Sequence, residues 1–522
     1  MLHLTLSPRR LFKIWPAAAG LTFPSRNPSL GGMLVPAENF YAAWRARRHP
    51  SPDLRETGGD APPEKLLQTI WQHQRLLRDQ LITLDGRPVR ILHPGFKNQE
   101  AGPDFRDAMI RLGSEPPLTG DIEIDLQPGG WKAHGHDRNP NYHRVILHVI
   151  WSGTPGAEER LPVLALQGRL DAPLGELDEA LGREPAAGLP VSLRGQCSAP
   201  LAGLPPGRLA ELLLAAADVR WRVKAGHYAA RARQVGWEQT LWEGLFRGLG
   251  YKQNIWPFHR LAELRPLWHR PPLDPFALQT RLLGLSGLLP DQLSRAQLAA
   301  DQHLRQVWDQ WWRERDAFAD AILPRSLWRL HGIRPANHPQ RRLALAAHWV
   351  AAGDLPARLQ KWFTQPIADA ALADSLLQSL APVVEDSFWT RHCTLRSAPL
   401  ARPQPLLGAT RVTDLAVNVI LPWLWVRAVE GRNAELQRVA EHRFRHWPAA
   451  EDNSVLRLAR RRLLGAAGTW LPAGAAAQQG LLQITRDFCD HTNALCEQCP
   501  FPELVQEWFR RPGEREKIPA EG

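Results

Sequence analysis

Between positions 93 and 151 the chain reads HPGFKNQEAGPDFRDAMIRL, then GDIEIDLQPGGWKAHGHDRNPNYHRVILHVIW. Carboxylates and imidazoles at this density are the raw material of a divalent-metal site. Glu123 and Asp125 stand two apart in an alternating segment, so on a strand they share one face. Asp104 follows a Gly-Pro turn and precedes a second alternating segment. If the two strands pair, Asp104 and Glu123 converge as metal ligands on an oxygen-rich site suited to Mg2+ or Mn2+. Such a site activates water for attack on phosphorus and stabilises the departing oxygen.

GPDF at 102–105, EID at 123–125 and the buried strand VILHVIW at 145–151 resemble the core of the PD-(D/E)XK nuclease superfamily. Its pattern is a helix, strands carrying Asp and Glu-x-Lys, and a further core strand. The resemblance covers about 110 residues, with a short and degenerate motif. It implies catalytic roles for Asp104, Glu123 and the residue in the lysine place. That place holds Asp125, which removes the cation expected to orient the water and adds negative charge. Lys132, His134 or His136 in the following loop are the candidates to replace it.

The histidines support a rival chemistry. His93, His134, His136, His143 and His148 are close in sequence, with Asp137 beside His136. A His-x-His pair with Asp104 or Glu123 could bind zinc or iron in an open catalytic site. HGHDRN departs from the His-x-His-x-Asp-His metallohydrolase pattern, its Asp falling one place early. His148, inside an apolar strand, is expected to be a hydrogen-bonded core residue.

Cys489, Cys496 and Cys499 form a second cluster, Cys-x6-Cys-x2-Cys. Grouped thiolates in a reducing compartment hold Zn2+ or an iron–sulfur cluster more readily than disulfides. The spacing resembles the first three ligands of the cluster loop in endonuclease-III-like DNA glycosylases. The fourth place, 505, is Val, leaving His491, Cys393 or Cys197 to complete a site. The alternative is three buried structural cysteines.

Positioning these groups requires a sheet. Ala108, Ile110 and Leu112 alternate with outward residues, as do Ile122, Ile124 and Leu126, and LPVLAL at 161–166 supplies another strand. A helix over 64–81 precedes them, with apolar residues at 66, 67, 70, 71, 76, 77 and 81. Asp85-Gly86 marks a hairpin turn. From 205 the chain is rich in Ala, Leu, Arg and Trp at helical spacing, and most of the 22 Trp lie there, expected mainly as packing area between helices. The expected fold is α+β: a mixed-sheet, restriction-endonuclease-like domain at 61–200, then an all-α region at 205–510 ending in the Cys cluster. Residues 1–60 read as an N-terminal extension and linker, partly disordered, of which 1–32 resemble a mis-called start. GYKQN at 250–254 and RPANHPQRR at 334–342 are substrate-binding candidates. Arg334, Asn337 and Arg341 suit phosphate, against a structural reading in which Asn337 caps a helix that Pro339 begins and the arginines are solvated.

The chain has 522 residues, 44 % hydrophobic and 22 % charged, within globular usage, and is too long for one core. Net charge is +11 and pI about 9.9, favouring DNA or RNA as partner, although Arg and Ala abundance also follows from a GC-rich genome. Five cysteines do not form a secreted disulfide framework. A cytoplasmic location and no membrane partner are therefore expected, and no oligomeric state follows. HPGFKNQEAGPDF, GYKQN, RPANHPQRR, LAVNVILP at 415–422 and the terminal Cys cluster together resemble the uncharacterised bacterial domain-of-unknown-function family 2851, in order along nearly the whole chain. That resemblance implies the two-part architecture but no established activity. Three functions remain open: a metal-dependent nuclease, a non-catalytic nucleic-acid or protein-binding module on a degenerate nuclease fold, and a His/carboxylate metallohydrolase.

Overall fold

The computed structural model describes residues 39–48, 62–98, 102–156, 161–181, 197–251, 253–290, 292–294, 301–330, 333–452, 454–465, 474–489 and 499–510. The fold is α+β, a six-stranded mixed sheet followed by a helical region. The expected start segment 1–32 and most of the linker 49–63 lie outside the described residues.

The sheet strands are β1 (Val89–His93), β2 (Phe96–Lys97), β3 (Phe105–Leu112), β4 (Leu118–Asp125), β5 (Val145–Ile150) and β6 (Val163–Ala165). They are ordered β1-β3-β4-β5-β6, with β2 also on β3. β1, β2 and β4 run antiparallel to their β3 partner, whereas β4–β5 and β5–β6 are parallel. Parallel neighbours cannot be joined by a hairpin, so residues 126–144 must cross over between β4 and β5. This crossover carries His134 and His136.

Ile122, Ile124, Leu147 and Val149 bury one sheet face against Leu66, Leu67, Ile70 and Trp71. Those four lie on helix α2 (Glu64–His73), which follows α1 (Phe40–Arg48). The sequence pattern predicts α2 eight residues too long. Gln74 adopts a left-handed conformation (φ 52°) and caps the end with backbone bonds to Ile70 and Trp71. Leu76 then pairs with Leu170 across an antiparallel bridge. Its apolar character thus serves an extended segment, which helical periodicity alone does not separate from a further turn. The Asp85-Gly86 turn is present, with Gly86 at φ 88° and Ile82 bridged to Pro88.

After the short α3 (Gly130–Ala133) and α4 (Leu174–Leu181), the helical region starts with α5 (Pro206–Val235), α6 (Trp237–Leu249) and α7 (Ile255–Glu263). Nine Trp, including Trp221, Trp349 and Trp447, are among the largest fully buried side chains, which favours packing over base-stacking for them. Part of the segment assigned to the N-terminal extension is ordered: α1 buries Tyr41 and Trp44 among Leu213, Phe488 and Phe501. The apolar run around 417–426 lies in α8 (Ala409–Glu430). By length and composition α8 is the one helix among the described residues able to cross a membrane, and 78 % of its apolar window is buried inside the protein. α9 (Ala475–Ile484) packs along α5.

Candidate metal centre

The site forms where β4 ends. Glu123 and Asp125 are its last pair on one face, while Ile122 and Ile124, alternating with them, enter the core. Phe105 is registered with Ile122, which brings the preceding Asp104 beside Glu123. The Asp104 amide donates to Glu123 Oε2 (3.1 Å), and Asp104 Oδ2 accepts from the Ile124 amide (3.1 Å). A bulge in β3 fixes this entry: Asp107 takes φ 55° and donates its amide to Asp121 Oδ1 (3.0 Å).

The crossover closes the other side. His136 Nδ1 lies 3.3 Å from Glu123 Oε1, and His134 Nδ1 lies 3.3 Å from Asp125 Oδ1. Asp125, His134 and His136 each offer a ligand atom, all within 4.8 Å of one another. His136 is buried and its ring stacks on Tyr142 (4.0 Å between centroids), with Trp131 edge-on at 5.4 Å. Although close to Glu123, His136 Nδ1 makes no aligned hydrogen bond. An orphaned buried imidazole nitrogen facing carboxylates is what a metal ligand looks like without its ion. The donor set fits a divalent ion, and its imidazoles favour Zn2+, Fe2+ or Mn2+ over Mg2+.

Crowded carboxylates disfavour their own ionisation. Burial, then Asp104, pushes Glu123 up to about 9. Burial raises Asp104 to about 7, with Glu64 and Asp125 adding to the shift. His136 is lowered, chiefly by burial, which keeps the ring neutral and able to ligate.

The structure therefore gathers Asp104, Glu123, Asp125, His134 and His136 into one site. Lys132 is exposed on α3, two residues before His134. His148 is fully buried, as expected of a core residue, but its Nε2 contacts Asp125 Oδ2 (3.0 Å), so it also belongs to the site by orienting that carboxylate. His93 is elsewhere. It accepts from the Gly95 amide (3.0 Å) and packs against Phe96 and Trp256, a structural role. Two contributors were missed. Gln68 Nε2 donates to Asp104 Oδ1 (2.8 Å), and Glu64 lies close enough to Asp125 for its carboxyl to be raised, after burial, by that charge. Their spacing of four on the polar face of α2 was the available signal.

The other candidate groups separate from this site. Cys489 and Cys197 are buried in the apolar cluster that holds Tyr41, Phe488 and Phe501, with Cys499 packed against it, while Cys496 and His491 lie outside the described residues. Arg341 is neither solvated nor available to phosphate: it is buried, donating to the carbonyls of Trp389 (2.9 Å) and Gln404 (2.7 Å). The helix begun by Pro339 is capped by His338, whose Nδ1 accepts from the Gln340 amide (3.3 Å), rather than by Asn337. Arg334 is exposed and pairs with Glu451 (3.3 Å).

The family profile described as "Protein of unknown function (DUF2851)" matches residues 64–454. No curated protein and no solved structure matches the chain. The likeness to a PD-(D/E)XK core thus rests on the residues alone.

Proposed function

Given that the chain belongs to the DUF2851 family, we propose that it is a metal-dependent phosphodiesterase acting on nucleic acid. The observation that carries this reading is the convergence of Asp104, Glu123 and Asp125 with His134 and His136 at the end of β4. The two enzymatic chemistries, carboxylate nuclease and His/carboxylate hydrolase, draw on one and the same place. Asp125, His134, His136 and Glu123 would hold Mn2+ or Zn2+, with Asp104 beside them. The ion supplies Lewis acidity and water of lowered pKa.

The chain's own groups position and tune. His148 and Gln68 lock Asp125 and Asp104 from behind, and Tyr142 and Trp131 fix the His136 ring. This packed support holds the ligands preorganised, as second-shell partners do in metal sites. Lys132, exposed on α3 two residues before His134, would meet a phosphate, the role that Asp125 in the motif's lysine place cannot take.

The test is Mn2+- and Zn2+-dependent cleavage of labelled single-stranded, duplex and branched DNA and RNA. Wild type is compared with Glu123→Gln and His136→Ala. Cutting by wild type, reduced at least about 100-fold in both variants, is expected. Folded, metal-loaded wild type that cuts none of these substrates would overturn the reading in favour of the binding module.

A further inference from the structure

The helix Ala434–His446 carries His442 and His446 at a spacing of four, one turn apart on a single face. Their rings stack, with centroids 4.0 Å apart and planes inclined by 26°. Asp369 meets them from a distant part of the chain, the short turn Asp369–Ala371. Its Oδ1 lies 2.8 Å from His442 Nε2, and its Oδ2 lies 4.0 Å from His446 Nε2. The three ligand atoms all fall within 4.8 Å of one another. The side chains are open to solvent, and none of them belongs to the centre at β4.

A surface His–Asp pair is the ordinary explanation of such a contact, and it accounts for His442 alone. His446 Nδ1 lies 2.8 Å from the His442 carbonyl oxygen. That oxygen only accepts, so Nδ1 carries the proton and, in the neutral ring, Nε2 is the lone-pair nitrogen. This lone pair stands beside the Asp369 carboxylate at a distance too long for a hydrogen bond. Two electron-pair donors so placed are complementary to a cation between them. A carbonyl that holds the other ring nitrogen is also how ligating histidines are oriented.

The spacing and the framework both fit an ion. Tetrahedral zinc bonds of about 2.0–2.2 Å put ligand atoms roughly 3.3–3.6 Å apart, and the observed 2.8 and 4.0 Å stand on either side of that value. Arg443, on the same helix, is buried and donates to the carbonyls of Trp362 (3.0 Å) and Gln365 (2.6 Å). It thereby fixes the helix against the segment that leads to Asp369, and Leu372 just after the turn is fully buried. An ion here would lie over the last turn of the helix, whose unpaired carbonyls favour positive charge. Two imidazoles with one carboxylate select Zn2+ over Mg2+ or Ca2+, which take oxygen ligands. We propose that Asp369, His442 and His446 form a separate Zn2+ site, with water completing the coordination, that pins the 369–371 turn to the helix Ala434–His446. The site is independent of the phosphodiesterase reading.

For the test, full-length protein is dialysed to equilibrium against Zn2+ buffered in the micromolar range, and zinc per chain is counted by atomic emission. Wild type is compared with His442→Ala/His446→Ala and Asp369→Asn, and the same set is made in a His134→Ala/His136→Ala background. The substituted positions 369, 442 and 446 are exposed, and an unchanged melting temperature in EDTA checks the fold. The histidine variant is expected to hold one zinc ion fewer than its parent in both backgrounds. Asp369→Asn is expected to bind that ion at least about tenfold more weakly. Zn2+ is also expected to slow hydrogen exchange in the peptide spanning 365–372 of wild type and not of the histidine variant. Equal zinc content in parent and folded histidine variant overturns the site, as does exchange in that peptide indifferent to Zn2+.

Discussion

Glu123 occupies an unfavourable place for a lone negative charge, buried beside Asp104 and near Asp125. Its carboxyl near 9 and that of Asp104 near 7 mean that both retain protons to a large extent at neutral pH unless a cation arrives. Unfolded carboxyls titrate at about 4, so between about pH 4 and 9 these two groups bind more protons in the folded metal-free chain than in the unfolded one. Their contribution to stability is therefore expected to fall as pH rises through that window. Bound metal reverses the balance by replacing protons. Calorimetric titration of Mn2+ at pH 7 in buffers of different ionisation enthalpy is expected to show release of one to two protons, about as many as the two raised carboxyls hold. Affinity is expected to climb with pH; binding with no proton release would place the ion elsewhere. Glu123 and Asp125 were legible as a pair because strand alternation is strict, whereas the part played by His148 was hidden by its apolar neighbours.

The crossover after β4 is the element that turns a carboxylate pair into a His/carboxylate site. Its first turn approaches β4 so closely that a Cβ on Gly130 would lie 2.5 Å from Asp125 Oδ1. Gly130→Ala must displace that carboxylate, while the sheet core on the opposite face is untouched. Metal affinity is expected to drop about 10–100-fold, the usual effect of disturbing a ligand's support, with little change in melting temperature. Unchanged affinity would show that Asp125 is no ligand. Gly129-Gly130 reads in the sequence only as a turn. The close approach depends on the parallel β4–β5 pairing, which local patterns do not encode. Helix α2 shows the same limit: its start at Glu64 was legible, but its end was decided by the partner of Leu76.

At the scale of the whole molecule, the sheet and the helical region are tied by buried charge. Glu263 on α7 receives Arg78 from the sheet side, together with Arg260 (3.0 Å), His259 (3.3 Å) and Arg231 (3.6 Å). Burial alone would raise its carboxyl, but Arg78, His259 and Arg260 outweigh that and hold it well below the usual glutamate range. The resulting stabilisation is complete above the unfolded value of about 4.3 and is lost as pH falls through the lower folded value. Glu263→Gln leaves Arg78 and Arg260 without this counter-ion, Arg231 keeping Glu243, and is expected to cost about 3–5 kcal/mol in denaturant unfolding at pH 7. A loss below about 1 kcal/mol would show that the tie is solvent-screened. Trp256 Nε1, donating to the Leu92 carbonyl (2.7 Å), adds a second link across the same junction.

The sequence by itself determined the α+β division, where most of the strands lie along the chain, the carboxylates at 104, 123 and 125 as candidates, and the family. Those features follow from local periodicity, residue chemistry and motifs in linear order. Only the tertiary structure decided that His134 and His136 reach the carboxylates, that Gln68 and Glu64 join them from α2, and that Arg341 clamps backbone carbonyls. Each depends on which segments pack together, and that is set by burial of apolar faces distant in sequence, not by the spacing of the polar residues that packing brings together.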